Sequence, residues 1–141
     1  MRLSSLADYA VVMMAAAARH GAGQRLLSAT ILSAETGVPL PTAQKLVSKL
    51  AGAGLLASQR GAAGGFALAR EAGAISLIEI IEAVEGPIAL TSCVEESKHD
   101  CALEQACKVR PHWAVVNSAV RKAFEDVRLD QLAGVEQEVM A

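Results

Sequence analysis

The three cysteines of this chain lie in one 15-residue window, at Cys93, Cys101 and Cys107. Thiolates are soft ligands that suit zinc or an iron–sulfur cluster. An odd cysteine count argues against a secreted disulfide scaffold and favours reduced thiols in a cytoplasmic protein. The gaps of seven and five residues are wider than those of a usual structural zinc site. The window therefore predicts a soft-metal or iron–sulfur site.

Three cysteines leave one coordination position to fill. His112 follows Cys107 by five residues and is one candidate, and Asp8, contributed by a partner subunit, is the other. Both also have ordinary structural interpretations, because Asp8 suits the capped start of a helix and His112 suits a polar helix end. An exogenous ligand or water is the third possibility, and the residues alone leave the choice open.

The chain is 52% hydrophobic but only 3% aromatic, and it is rich in Ala and Leu. Because Ala and Leu favour helices, we expect helices to position the candidate ligands. The first predicted helix opens at Ser5 and contains the apolar run 10–18. Asp8 before this run, and Arg19 directly after it, fit a buried helix better than a signal peptide, and nine residues cannot span a bilayer. We expect no membrane partner.

A helix-turn-helix is predicted next. One helix begins near Ser28 and stops at Gly37. The following helix is predicted to start at Pro41, which suits a first helical position, and to bury Leu46, Val47 and Leu50. Two short strands then flank a glycine-rich loop that starts at Arg60, as in a winged helix. The predicted fold is mainly α, a winged helix-turn-helix with a two-stranded wing.

A long C-terminal helix is predicted to start at Pro111. Its apolar side chains recur every three or four residues, at Trp113, Val116, Val120, Phe124 and Val127. Nothing else in the chain is left to cover them, so a second copy is the expected cover, giving a homodimer. The predicted organisation is a DNA-binding domain at 1–87, a cysteine loop at 88–110, a dimerisation helix at 111–130 and a tail at 131–141.

The charges divide unevenly along the chain. Residues 1–75 carry seven basic and three acidic side chains, whereas residues 76–141 carry six basic and twelve acidic ones. This asymmetry favours a polyanion partner for the first half only. Gln and Lys side chains suit readout of the DNA major groove, and Arg60 suits a narrow minor groove. The predicted contacts with double-stranded DNA are Ser28, Pro41, Thr42, Gln44, Lys45, Ser48, Lys49 and Arg60.

Specific sequence patterns resemble the Rrf-two family of winged-helix iron–sulfur transcription regulators. They include Met-Arg-Leu-x5-Tyr-Ala at 1–10, Gln-Lys-Leu-x3-Leu at 44–50 and the wing Arg-Gly-x-x-Gly-Gly-Phe-x-Leu-Ala at 60–69, followed by the three cysteines. The resemblance covers residues 1–130. It implies a homodimeric regulator whose DNA affinity depends on a 2Fe–2S or 4Fe–4S cluster.

The match within that family is uneven. The first cysteine gap is seven residues, where IscR-like and NsrR-like members usually have five, and Arg110 stands where IscR-like members place a histidine ligand. Asp8 matches the position from which NsrR-like members complete a 4Fe–4S cluster across the dimer. The wide gap, His112-Trp113 and the ending at 127–132 are most similar to regulators of the SUF cluster-assembly operon.

We therefore expect a cytoplasmic regulator of the repressor type that controls iron–sulfur assembly genes, and not an enzyme. The alternative is a nitric-oxide or redox-sensing repressor with a 4Fe–4S cluster, and a more remote one is a zinc-stabilised DNA-binding dimer without sensing. Catalysis is disfavoured because the sequence holds no Cys-x-x-Cys motif, nucleophile elbow or phosphate loop.

Overall fold

The computed structural model of the chain describes residues 2–21, 26–59, 64–90 and 108–135. The helices are α1 (Ser5–Arg19), α2 (Ala29–Thr36), α3 (Leu40–Gly52), α4 (Leu77–Glu85), α5 (Arg110–Glu125) and α6 (Leu129–Ala133). The strands are β1 (Leu56–Gln59) and β2 (Gly65–Leu68), and a 3-10 turn covers Ala72–Ala74. The order confirms the predicted winged helix-turn-helix with a two-stranded wing.

Helix α1 is the centre of the core. It packs against α2, α3, α4 and α6. The stretch from Met13 to Ala18 is buried around the whole helix, which explains why its sequence is apolar without a polar face. Ser4 caps the helix, with its hydroxyl accepting a hydrogen bond from the Ala7 N–H at 3.1 Å. The expectation that Asp8 caps α1 was wrong, because Ser4 occupies that place and Asp8 lies within the first turn.

Helices α2 and α3 form the helix-turn-helix. The Ser28 hydroxyl accepts from the Ile31 N–H at 3.1 Å, and Gly37 ends α2 with a φ of 82°, a conformation that favours glycine. Helix α3 begins at Leu40, one residue before the predicted start at Pro41, because Pro39 occupies the N-cap. Pro41 still lies in the first turn, where its missing N–H costs no helical hydrogen bond.

The wing is held to the body of the protein through Phe66. Strands β1 and β2 are antiparallel, and Phe66 pairs with Ser58. On its other side, Phe66 exchanges two backbone hydrogen bonds of 2.8 Å with Leu27, just before α2. A Cβ atom on Gly65 would lie 2.5 Å from the Leu27 carbonyl oxygen, so this close approach needs a glycine.

Helix α4 begins with the predicted capping box. The Glu79 carboxylate accepts from the Ser76 N–H at 2.9 Å, while the Ser76 hydroxyl accepts from the Glu79 N–H. Burial acts to raise the pKa of Glu79, but the Ser76 amide and Arg70, at 2.9 Å, outweigh it and lower that pKa. The charged form of Glu79 therefore helps to fix the start of α4 at neutral pH.

The C-terminal helix is shorter than expected. Helix α5 ends at Glu125, whereas the sequence predicted one helix from 111 to 130. The reason is that Arg128 is extended and pairs with Ser76, with the Leu77 N–H donating to the Val127 carbonyl at 2.8 Å. The chain then turns into α6, which buries Leu129. In the part of the chain that the structure describes, no helix is both long and apolar enough to cross a membrane.

Candidate nucleic-acid interface and metal-ligand residues

One side of α3 presents the side chains expected to read DNA. Ala43, Leu46 and Leu50 are buried beneath the helix. On the opposite side, four of the predicted residues form an exposed patch that we call the recognition face: Pro41, Gln44, Lys45 and Ser48. The helical repeat places residues i, i+3, i+4 and i+7 on one side, which is the spacing of this patch. It can offer hydrogen bonds and one positive charge to a DNA groove.

Two further predicted residues of α3 flank the recognition face. Thr42 and Lys49 are half-buried. The Lys49 ammonium donates a hydrogen bond to the Val84 carbonyl at 3.3 Å, close to the end of α4. Lys49 therefore connects α3 with α4 as well as adding positive charge beside the recognition face.

Ser28 and Arg60 complete the predicted DNA contacts. The Ser28 hydroxyl caps α2. A DNA phosphate at this position would therefore be bound by the N-terminus of α2 rather than by a free hydroxyl. Arg60 follows Gln59 in the sequence and lies outside the described residues. The DNA-contact assignments of all eight residues remain predictions.

The candidate metal ligands fall in two groups. Cys93, Cys101 and Cys107 lie outside the described residues. Asp8 and His112 are exposed, in the first turns of α1 and α5 respectively. Within the described ranges, no group of three or more His, Cys, Asp or Glu residues could hold a metal ion. The ligand set therefore remains a prediction from the sequence.

The last turn of α4 and the neighbouring turns of α5 hold the chain just before the cysteines. Asn117 of α5 bonds to the backbone of Ile88 and Leu90. Glu82 of α4 bonds to the Ile88 N–H at 3.0 Å and to Arg121 at 2.7 Å. The Glu82 hydrogen bond raises the pKa of the Arg121 guanidinium. These contacts join α4, α5 and the 88–90 segment.

Sequence reasoning missed the role of Asn117. A signal was available, because Asn117 is a polar residue four positions after Trp113 and three before Val120, on the inward side of an apolar stripe. A polar residue at such a position requires partners when it is buried. The sequence could not name those partners, since the chain brings the 88–90 segment to α5 only in the folded state.

His20 has a structural partner. Its Nε2 lies 2.7 and 2.9 Å from the two carboxylate oxygens of Glu35. This contact joins the end of α1 to α2, next to the helix-turn-helix. His20 thus helps to orient the two helices.

A family model described as Rrf2, an iron-dependent transcriptional regulator, matches residues 3–134. The chain belongs to the Rrf2 family. Like other Rrf2 proteins it is a transcription regulator with a DNA-binding winged-helix fold, and its relatives are regulators rather than enzymes. The resemblance expected from the wing and cysteine pattern is confirmed.

Curated and solved relatives of this Rrf2 chain agree with that placement. It is 33% identical over 132 residues to the HTH-type transcriptional regulator IscR of Vibrio cholerae, covering 94% of this chain and 75% of the relative. The structure matches T. potens IscR with a TM-score of 0.69 at 28% identity, covering 100% of this chain and 93% of the other. It also matches CymR, the global cysteine regulator of B. subtilis, with a TM-score of 0.73 at 28% identity, covering 96% and 98%.

Proposed function

We propose that this Rrf2 chain is a homodimeric transcription regulator that senses iron–sulfur cluster status through Cys93, Cys101 and Cys107. Its proposed targets are the SUF genes for cluster assembly. The observation that carries the proposal is the presence of three cysteines in one 15-residue window of an Rrf2 chain.

The fold by itself does not specify the signal. One similar structure is an IscR and another is described as a global cysteine regulator, although both share the winged-helix plan. The specific chemistry must therefore come from side chains that this chain carries. Three thiolates suit a cluster, and such a group supplies a redox-sensitive centre whose gain or loss is the signal.

The donor chemistry of the chain fits such a cluster. Thiolates would bind iron, and a carboxylate or an imidazole would fill the remaining position. Asp8 and His112 are both exposed, so neither is committed to the core. Asp8 is our first choice, because it lies at the start of the central helix α1 and could connect the ligand site to the whole domain.

The regulator would act on DNA as a dimer. Two recognition faces related by a two-fold axis match a pseudo-palindromic operator. Cluster-loaded and cluster-free dimers must hold α3 differently, since a ligand changes DNA affinity only if it favours one arrangement over another. A cytoplasmic location goes with this proposal, because reduced thiols persist there.

The decisive experiment is anaerobic purification of the wild type and of Cys101→Ala. We expect iron, acid-labile sulfide and a visible chromophore in the wild type and their loss in the variant. His99→Ala is the matched control, since it removes a possible ligand from the same window that we do not assign to the cluster. An iron-free, colourless wild type, or an unchanged spectrum in Cys101→Ala, would refute the cluster assignment.

The same preparations separate the alternatives. Stoichiometric zinc without sulfide would identify the zinc-stabilised dimer. Loss of operator binding on treatment with nitric oxide, with no response to cluster supply, would identify the nitric-oxide sensor. Asp8→Ala and His112→Ala distinguish the fourth ligand, because only removal of the true ligand should alter the spectrum of the cluster.

A further inference from the structure

Asn117 is one of only two buried polar side chains among the described residues. Its amide oxygen accepts from the Leu90 N–H at 2.9 Å, and its amide nitrogen donates to the Ile88 carbonyl at 3.2 Å. Both halves of the amide are thus used on one three-residue stretch of backbone. A buried amide is costly unless it is paired, so these contacts fix the 88–90 segment against α5.

Glu82 holds the same segment from the other side. Its Oε2 accepts from the Ile88 N–H at 3.0 Å and from Arg121 at 2.7 Å. The 88–90 segment belongs to no helix or strand, and side chains of α4 and α5 bond to its Ile88 N–H, Ile88 carbonyl and Leu90 N–H. The segment is therefore positioned by named side chains.

A cavity borders the 88–90 segment on one side. Residues 88–90 line a cavity of about 620 Å³, together with Leu3 near the N-terminus and Phe124 of α5. Because one side of the segment borders open space, its position depends strongly on the hydrogen bonds from Asn117 and Glu82.

The segment connects two functional regions. Leu90 stands three residues before Cys93 in the chain. The last turn of α4 reaches α3 through the Lys49 bond to Val84, and it reaches the start of α1 through the Ser4 N–H bond to Glu85 at 3.2 Å. A shift of residues 88–90 would therefore act on the turn that supports both α3 and α1.

We propose that Asn117 is a positioning residue that couples the cysteine window to α3, the helix with the recognition face. It does so by fixing residues 88–90 against α5 and the end of α4. The proposal rests on the proposed function, because it requires a cluster whose state changes DNA affinity. The inference adds to the proposed function the set of contacts through which a change in cluster state alters the position of α3.

The first test needs no cluster. Asn117→Leu removes both hydrogen bonds at similar side-chain volume, and Ser118→Ala is the control on the adjacent, exposed position of α5. In cluster-free protein, we expect amide hydrogen exchange at Leu90 to accelerate about tenfold in Asn117→Leu, the factor produced by losing one ordinary hydrogen bond. Exchange should not change in Ser118→Ala. An unchanged rate at Leu90 in Asn117→Leu would overturn the proposal.

The second test measures coupling. For each protein, operator affinity is determined with and without the cluster, and the ratio of the two dissociation constants is compared. We expect the ratio to fall at least about fivefold in Asn117→Leu, since allosteric coupling of ordinary size is of this order or larger. The cluster should also release iron to a chelator faster. Asn117→Asp, which keeps the acceptor for the Leu90 N–H, should recover part of the ratio.

The outcomes separate the two proposals. A wild type that holds no cluster, or whose affinity does not depend on it, removes the proposed function and this inference together. A cluster-dependent wild type with an equal ratio in Asn117→Leu removes this inference alone. If leucine prevents folding, Asn117→Ala replaces it, because alanine preserves helix propensity, and the same two results decide.

Discussion

At the residue scale, the side chains of α3 divide by their surroundings. Lys45 is exposed on the recognition face, whereas Lys49 is half-buried and bonds to the Val84 carbonyl. The sequence placed both lysines in one DNA-binding set, because their types are the same. Only the fold shows that Lys49 has a second partner, so Lys45 gives the cleaner test of DNA contact.

We predict that Lys45→Gln weakens operator binding by roughly 1–3 kcal/mol for each subunit, the range of a specific base contact. If Lys45 contacts phosphate instead, the salt dependence should fall by about one unit of slope for each subunit. Fluorescence anisotropy at several salt concentrations measures both. Lys122→Gln is the control, since Lys122 is an exposed lysine on α5 that pairs with Asp126. Equal affinities and slopes in all three proteins would contradict the recognition face.

At the element scale, the attachment of the wing to the rest of the protein depends on Gly65 having no side chain. Phe66 joins the wing to the body through its two backbone hydrogen bonds with Leu27, and Gly65 leaves room for that approach. The sequence showed a glycine-rich turn. It could not show that Gly65 makes a close contact with Leu27, 38 residues earlier in the chain.

We predict that Gly65→Ala destabilises the protein by roughly 1–3 kcal/mol, the usual cost of forcing an extra carbon into a packed site. The added Cβ would lie 2.5 Å from the Leu27 carbonyl oxygen and would displace the backbone that accepts from Phe66. Urea unfolding measures the effect. Gly52→Ala is the matched control, because nothing lies within 4 Å of a Cβ at the end of α3. Equal unfolding midpoints for Gly65→Ala and the wild type would show that the wing can shift without cost.

Local signals in the sequence predicted most of these elements. The Ser28 cap, the Gly37 stop and the Ser76–Glu79 capping box each act within a few residues, so the printed sequence contains them. The end of α5 could not be predicted in this way, because it depends on pairing of Arg128 with Ser76 across more than fifty residues. The partners of Asn117 were missed for the same physical reason.

At the scale of the whole molecule, α5 is the least buried helix among the residues that the structure describes. Among the described residues, several of its large apolar side chains are exposed, including Trp113, Val115 and Val116. Trp113 and Val116 lie on the same side of the helix as Val109, with spacings of four and three. This side is the surface that we assign to the second copy, and a two-fold axis would place it against its own equivalent.

We predict that Val116→Glu raises the dissociation constant of the dimer by about a hundredfold or more, because each symmetric interface would bury two new unpaired charges. Val115→Glu is the matched control: it makes the same change one residue away, on a different side of α5, at a position that is 69% exposed compared with 42% for Val116. Sedimentation equilibrium gives the two constants, and operator titration should show weaker binding for Val116→Glu alone. If both variants dimerise as the wild type does, the second copy does not cover this side of α5. If Val115→Glu alone dissociates, the interface lies on the side of α5 that carries Val115, about 100° around the helix from Val116, and the two recognition faces would then be related by a different axis.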